Sequence, residues 1–231
     1  MAKLKANRVN TVLFDVDDTL LDSYRARTQA LQDLFTRVKI TGLNAGKFLA
    51  SLQGAPFQDA LNCLAAEHNI TDNLFTIYRR IYWIEQLGNI RLYPGVKAML
   101  DTLKSRGYKL GIVTSKLRDS VFEGKRIGCI YELKKVNILD MFSVIVGLED
   151  VSKYKPHPEG INLALNKLGS QPQDTLFVGD SAADIQAALD AGCLSCHATW
   201  GITDDAALPQ NAQPHFTVKT PRAILDLDCL A

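Results

Sequence analysis

Asp15 and Asp17 stand one residue apart at the end of an apolar run, Val12-Leu13-Phe14. That run reads as a short buried strand, and the alternation of an extended chain sends both carboxylates to the same side of its carboxyl end. Two acids held together against a core are costly without a partner, so they imply a cation, a shared proton or a reaction. Open α/β sheets take their ligands outside the carboxyl ends of their strands, which is where this pair would sit. An Asp-rich turn after a strand is also a common helix cap or solvated loop, so the rest of the chain has to decide.

Three further segments bring chemistry-bearing residues to the ends of predicted strands. Val113-Thr114-Ser115-Lys116 offers two hydroxyls and backbone N–H groups that suit a phosphate oxygen. In Lys153-Tyr154-Lys155-Pro156-His157-Pro158-Glu159 the prolines stiffen the backbone, so Lys155 can hold a fixed positive charge beside the acids. His157 reads as part of that turn, because the aspartates already supply acid–base chemistry. In Val178-Gly179-Asp180-Ser181-Ala182-Ala183-Asp184, Gly179 permits close backbone approach and a helix begins at once, with Asp184 one turn beyond Asp180. Hard oxygen ligands at such a place suit Mg²⁺, although Asp180 and Ser181 are also ordinary N-cap residues.

The elements that must position these residues are legible as alternating patterns. Strands are predicted at 11–14, 108–114, 142–146, 175–178 and 194–199, with helices at 95–105, 158–168 and 182–191. Strands alternating with helices predict an α/β fold, a parallel sheet with helices on both faces. Residues 22–89 break the rhythm. Their apolar residues recur at helical spacing, as in Ala30, Leu31, Leu34, Phe35 and Val38, then Leu61, Leu64 and Ala65, then Leu74, Ile77, Tyr78, Ile81 and Ile84. A small all-α domain inserted after the first strand is expected, splitting the core into 1–21 and 90–231. Its place beside the acids suggests a lid over the site. The tail after Trp200, with Pro209, Pro214 and Pro221, reads as loop-rich.

Composition excludes several classes. With 47% apolar and 22% charged residues the chain is an ordinary globular protein, and its net charge of +1 supplies no field to draw nucleic acid or an anionic membrane. No apolar run approaches the roughly 18 residues of a membrane-spanning helix. Residues 1–8 lack the apolar stretch of a signal peptide, so a cytoplasmic location is expected. The five cysteines are odd in number and are expected to be reduced thiols. Cys193-Leu194-Ser195-Cys196-His197 matches a haem-attachment string but reads better as a buried strand after a helix capped at Gly192. A zinc site is not expected without a second cysteine pair.

In order, Asp15-Val16-Asp17-Asp18-Thr19, Thr114, Lys155 and Gly179-Asp180-Ser181-Ala182-Ala183-Asp184 resemble the four motifs of the haloacid dehalogenase-like hydrolases. The insertion resembles the helical cap of their phosphoglycolate phosphatase-like branch, and Leu92-Tyr93-Pro94-Gly95-Val96 resembles that branch's return from cap to core. The resemblance covers nearly the whole chain. It implies a Rossmann-like core and a Mg²⁺-dependent phosphatase acting on a small phosphorylated metabolite, such as a phosphoglycolate-like monoester or pyrophosphate. Asp15 would be the nucleophile and Asp17 the acid and base. Thr114, Ser115 and Lys155 would hold the phosphoryl group. Asp15, Asp17 (through its backbone carbonyl) and Asp180 would hold the metal, and Asp184 would orient Lys155 or a metal-bound water. Asp18 departs from the glycine many members carry there.

Alternatives follow from the same residues. A dehalogenase is disfavoured because halide needs no protonation and Asp17 is present. A sugar phosphomutase would pass the phosphoryl group to sugar instead of water, and a non-catalytic binding protein would form no phosphoenzyme. Substrate choice is expected in the cap, at Arg25, Arg27, Lys47 and the segment Gln53-Gly54-Ala55-Pro56-Phe57. Monomer and homodimer are both compatible with the sequence.

Overall fold

The computed structural model describes residues 9–52, 57–86, 90–201, 208 and 212–230. Predicted positions 53–56 of the segment implicated in substrate choice, and Pro209, lie outside the described residues.

The chain divides into two compact units, one of Met1–Asp22 and Leu92–Ala231, the other of Ser23–Arg91. The first unit is built on strand β1 (Thr11–Phe14), all four residues of which are buried. The chain leaves this unit through β2 (Leu21–Asp22) and returns through β3 (Arg91–Leu92). After helix α5 (Val96–Ser105) come β4 (Lys109–Val113) and a short hairpin of β5 (Ser120–Phe122) and β6 (Lys125–Ile127). Helix α6 (Cys129–Lys135), β7 (Val144–Val146), α7 (Glu159–Leu168), β8 (Thr175–Gly179), α8 (Ala182–Asp190), β9 (Leu194–Ala198) and β10 (Phe216–Val218) complete it.

Six of these strands form one sheet in the order β10-β9-β8-β1-β4-β7, and every pairing in it is parallel. β1 is central, with Phe14 in register with Ile112 of β4 on one side and Val178 of β8 on the other. From β1 the chain builds outward first through β4 and β7, then on the opposite side through β8, β9 and β10. The carboxyl end of β1 is therefore a topological switch point. One buried cluster joins Leu13, Val113, Val146 and Phe177 of the sheet to Ile161, Ala164 and Leu165 of α7 and Ala187 and Ala188 of α8. A strand buried on both faces favours apolar side chains on both, which explains the run Val12-Leu13-Phe14, while the buried Thr11 hydroxyl is satisfied by Asn10 and Ser170.

The predicted third strand is shorter than expected. Only Val144–Val146 pair, and Phe142 instead sets its ring edge-on to Phe14 at 6.5 Å. Within the loop-rich tail, Phe216–Val218 adds an unpredicted sixth strand beside β9.

The second unit is helical: α1 (Tyr24–Arg37), α2 (Ala45–Ser51), α3 (Phe57–Glu67) and α4 (Leu74–Arg80), the last running into a π-helical stretch, Ile81–Gln86. α1 buries Ala26, Ala30, Leu31, Leu34 and Phe35, one apolar stripe of the helical period. The Asn44 and Asn73 side chains accept N–H bonds at the starts of α2 and α4. Tyr78 and Tyr82 stack at 5.8 Å within this core. Arg25 and Lys47 are exposed and Arg27 is half-buried. No helix among the described residues is long and apolar enough to cross a membrane.

Candidate active site

Asp15 follows β1 directly and is buried, its backbone N–H donating to Val178 of β8 at 2.9 Å. The Lys155 ammonium lies 2.6 Å from Asp15 Oδ1 and 2.5 Å from Asp184 Oδ1, and the three side chains are nearly closed to solvent. Desolvation pushes the Asp15 carboxyl from its ordinary value up to about 7, against the lowering pull of Lys155 and with the help of the Asp184 charge. Burial works against the Lys155 ammonium, but the Asp15 and Asp184 carboxylates outweigh it and hold it charged above the ordinary lysine range.

Lys155 is fixed from both ends. Its ammonium also donates to the Val113 carbonyl at 3.2 Å. Behind it, the Glu159 carboxylate accepts the backbone N–H groups of Ser152 and Lys153 at 2.8 and 3.1 Å, tying down the loop that carries it. The His157 Nδ1 accepts the Glu159 N–H within its own turn.

Asp184 comes from the first turn of α8. Ser181 caps that helix, and the Asp184 Oδ2 accepts both the Ser181 hydroxyl, at 2.6 Å, and the Ser181 N–H, at 3.1 Å. One Asp184 oxygen thus serves the cap while the other serves Lys155. Gly179 makes this possible, because a Cβ there would collide with the Asp184 side chain.

Asp180 lies in the turn between β8 and α8. Its Oδ1 accepts the Thr19 hydroxyl at 3.2 Å and its backbone carbonyl meets the His197 Nε2 at 2.9 Å. Trp200 Nε1 donates to the Thr19 carbonyl at 2.9 Å. Carboxylate oxygens of Asp15, Asp180 and Asp184 all lie within 4.8 Å of one another. This all-oxygen donor set fits a hard divalent cation such as Mg²⁺.

Thr114 and Ser115, at the end of β4, line one recess with Lys155, together with Val113, Val146 and Gly160. The Thr114 Oγ1 accepts the Lys116 N–H at 3.2 Å. Asp17 goes to a different lysine from Asp15: Lys116 Nζ lies 2.9 Å from Asp17 Oδ1 and 2.8 Å from Glu132 Oε2. Asp18 is buried with φ 60°, in the left-handed region where glycine is easiest and Asp is among the better-tolerated side chains.

The geometry therefore brings Asp15, Asp180, Asp184 and Lys155 together, and puts Thr114 and Ser115 in the same recess as Lys155. Sequence reasoning missed the partners behind them: Glu132 behind Lys116, the contacts of Thr19 and His197 with Asp180, and Trp200 behind Thr19. Glu132 left one signal, an acid on the apolar face of α6 between buried Cys129 and Leu133. His197 was visible only inside the misleading Cys193–His197 string. Cys193 and Cys196 are buried free thiols, as are Cys129 and Cys229, and Cys63 is exposed.

Known proteins resemble this chain along most of its length. A family model described as haloacid dehalogenase-like hydrolase matches residues 12–198. Pyrophosphatase PpaX of Bacillus pumilus is 33% identical over 216 residues, covering 94% of each chain. A phosphoglycolate phosphatase of Yersinia pseudotuberculosis is 34% identical over 235 residues, covering 96% of this chain and 95% of its own. A crystal structure from Haemophilus somnus, described as a predicted phosphoglycolate phosphatase, superposes with a TM-score of 0.79 at 27% identity, covering 95% of this chain and 98% of that one.

Proposed function

The chain belongs to the haloacid dehalogenase-like hydrolases, as a phosphatase, and we propose that it hydrolyses a small phosphorylated metabolite through an aspartyl-phosphate with Mg²⁺ as cofactor. The observation that carries this reading is the Lys155 ammonium, held between Asp15 and Asp184 at the carboxyl ends of β1 and β8, with Thr114 and Ser115 at the end of neighbouring β4.

Asp15 attacks phosphorus. A carboxylate O–P bond forms as the bond to the leaving oxygen breaks, and the electron pair stays on that oxygen. Asp17 gives the leaving oxygen a proton, then takes one from the water that cleaves the aspartyl-phosphate and returns Asp15 as carboxylate. Thr114, the Ser115 backbone and Lys155 hold the phosphoryl oxygens, where positioning and charge complementarity dominate the chemistry. Asp184 keeps Lys155 in place. The Asp15 and Asp180 carboxylates and the Asp17 backbone carbonyl would hold Mg²⁺, which when bound offsets repulsion between phosphate and nucleophile.

The substrate class follows the relatives, a phosphoglycolate-like monoester or pyrophosphate. Connectivity makes the helical unit the candidate for choosing among them, since the chain enters it directly after the first motif. Arg25, Arg27 and Lys47 are its candidate contacts.

The test is phosphate release with Mg²⁺ from phosphoglycolate, pyrophosphate, nucleoside monophosphates and sugar phosphates, with Asp15→Asn alongside. Release that falls by on the order of 10⁴-fold or more in the variant is expected. Equal release by both proteins would sink the reading, and isomerisation of a sugar phosphate without release would convert it to a mutase.

A further inference from the structure

Lys116 has no part in the chemistry above, yet it is placed with care. Its ammonium lies 2.9 Å from Asp17 Oδ1 and 2.9 and 2.8 Å from the two oxygens of Glu132. The Glu132 side chain is 0% exposed, Lys116 12% and Asp17 19%. A carboxylate withdrawn wholly from water persists only where its charge is compensated. Glu132 therefore anchors Lys116, and Lys116 spans from the anchor to Asp17.

The anchor is tied to the same stretch of backbone as the lysine. Cys129 and Ile130, at the start of α6, donate N–H bonds to the carbonyls of Leu117 and Arg118 at 2.8 and 3.0 Å. Gly128 lets the helix approach this closely, since a Cβ there would meet those two carbonyl oxygens under 3.0 Å. Glu132 and Lys116 are thus parts of one rigid corner.

We propose that Glu132 is a positioning residue that acts through Lys116 to hold the Asp17 carboxyl in the orientation from which it protonates the leaving oxygen. This deepens the phosphatase reading and rests on it. An ammonium against Oδ1 disfavours a proton on that oxygen, so the contact fixes how the Asp17 O–H is aimed. In the first step that O–H bond breaks as the P–O bond to the leaving group breaks. The proton goes to the leaving oxygen, which keeps the P–O electron pair, and Asp17 is left as carboxylate. Without the anchor the carboxyl rotates and the proton is badly aimed, which harms only those esters that need it.

The test compares benzyl phosphate, whose alkoxide leaves poorly without a proton, with p-nitrophenyl phosphate, whose anion leaves without one. Values of kcat/KM are measured for wild type, Glu132→Gln and Lys116→Met. This quantity reports the steps up to leaving-group departure, and the ratio of the two esters within one preparation is independent of the fraction folded. Both variants are expected to lose roughly tenfold or more on benzyl phosphate beyond any loss on p-nitrophenyl phosphate, within the range that general acid catalysis supplies. Equal losses on the two esters overturn the positioning role and leave the phosphatase reading standing. Wild-type protein with no Asp15-dependent release from these esters or from the metabolite panel overturns both.

Discussion

Two lysines each bridge an aspartate of the first motif to a carboxylate brought by a helix, and the two bridges are built differently. Lys155 sits between Asp15 and Asp184 at 2.6 and 2.5 Å, and all three side chains are below a tenth exposed. Lys116 is gripped by both oxygens of Glu132 and reaches Asp17 at 2.9 Å, with Asp17 twice as exposed as Asp15, 19% against 9%. On the proposed mechanism the difference has a reason. A nucleophile gains from being fixed and dry, whereas a group that passes protons to a leaving oxygen and takes them from water needs a path to solvent.

Breaking the first bridge should have the largest effect. On the proposed mechanism Lys155→Met removes the positive charge that faces both the nucleophile and the phosphoryl oxygens. We expect kcat/KM for the preferred substrate to fall roughly 10²–10³-fold, the scale set by losing one preorganised electrostatic contact. The same change leaves Asp15 and Asp184 facing each other without their cation, which should cost about 3 kcal/mol in urea unfolding without metal. A fall in activity below tenfold would show that Lys155 balances the acids without serving the reaction.

The same bridge makes a prediction with pH. The folded chain keeps the Asp15 proton up to about 7, while the carboxyl alone would lose it near 3.8. Between those values the folded state binds more protons than the unfolded one, so this contribution to stability is complete below pH 3.8 and is lost as pH rises through about 7. Asp15→Asn has no such proton. In metal-free buffer the variant should therefore gain stability relative to wild type on going from pH 4.5 to pH 8, by on the order of 3 kcal/mol. Parallel stability curves for the two proteins would remove Asp15 as the source.

Gly179 probes how tightly the first bridge is packed. A methyl group at that position meets the Asp184 side chain closer than atoms approach. Gly179→Ala should move Asp184 and with it Lys155, lowering stability by about 1–3 kcal/mol and reducing kcat more than KM. An unchanged melting temperature would mean that the turn between β8 and α8 has slack.

How far these bridges could be read from sequence depended on what signals their parts carry. β1 was legible because a strand buried on both faces is written as an apolar run, and α8 because N-cap candidates, Asp180 and Ser181, stand directly before a helical pattern. Lys155 and Asp184 were therefore candidates before any coordinate. The second bridge was not legible as a unit. Its anchor lies on the seven-residue helix α6, which follows a hairpin with three residues per strand, and segments that short carry too little periodicity to be recognised. The link between Glu132 and Lys116 spans sixteen positions and arises from a helix docking on a loop, a tertiary contact without a local pattern. β10 escaped for the same reason, with three residues at the sheet edge. Asp18 could be flagged as a departure from a resemblance, but only its φ of 60° explains why glycine is favoured there.

The smallest effect expected would sharpen the contrast between the bridges by using a neighbour as a reporter. Cys129 lies three residues before Glu132 on α6, and burial, with the Glu132 charge, pushes its thiol well above the ordinary range. The other buried thiols, Cys193, Cys196 and Cys229, are also raised by burial, whereas Cys63 is exposed. Native protein should therefore react with a thiol reagent quickly at Cys63 and slowly elsewhere. If the ion pair holds α6 against the loop after β4, Glu132→Gln should speed labelling at Cys129 by roughly threefold to tenfold, because local opening becomes easier. Lys155→Met, acting on the other bridge, should leave the Cys129 rate alone. Peptide mapping of labelled protein distinguishes the sites. Equal acceleration in both variants would mean that the two bridges belong to one cooperative unit, and the division of labour drawn between them would have to rest on chemistry alone.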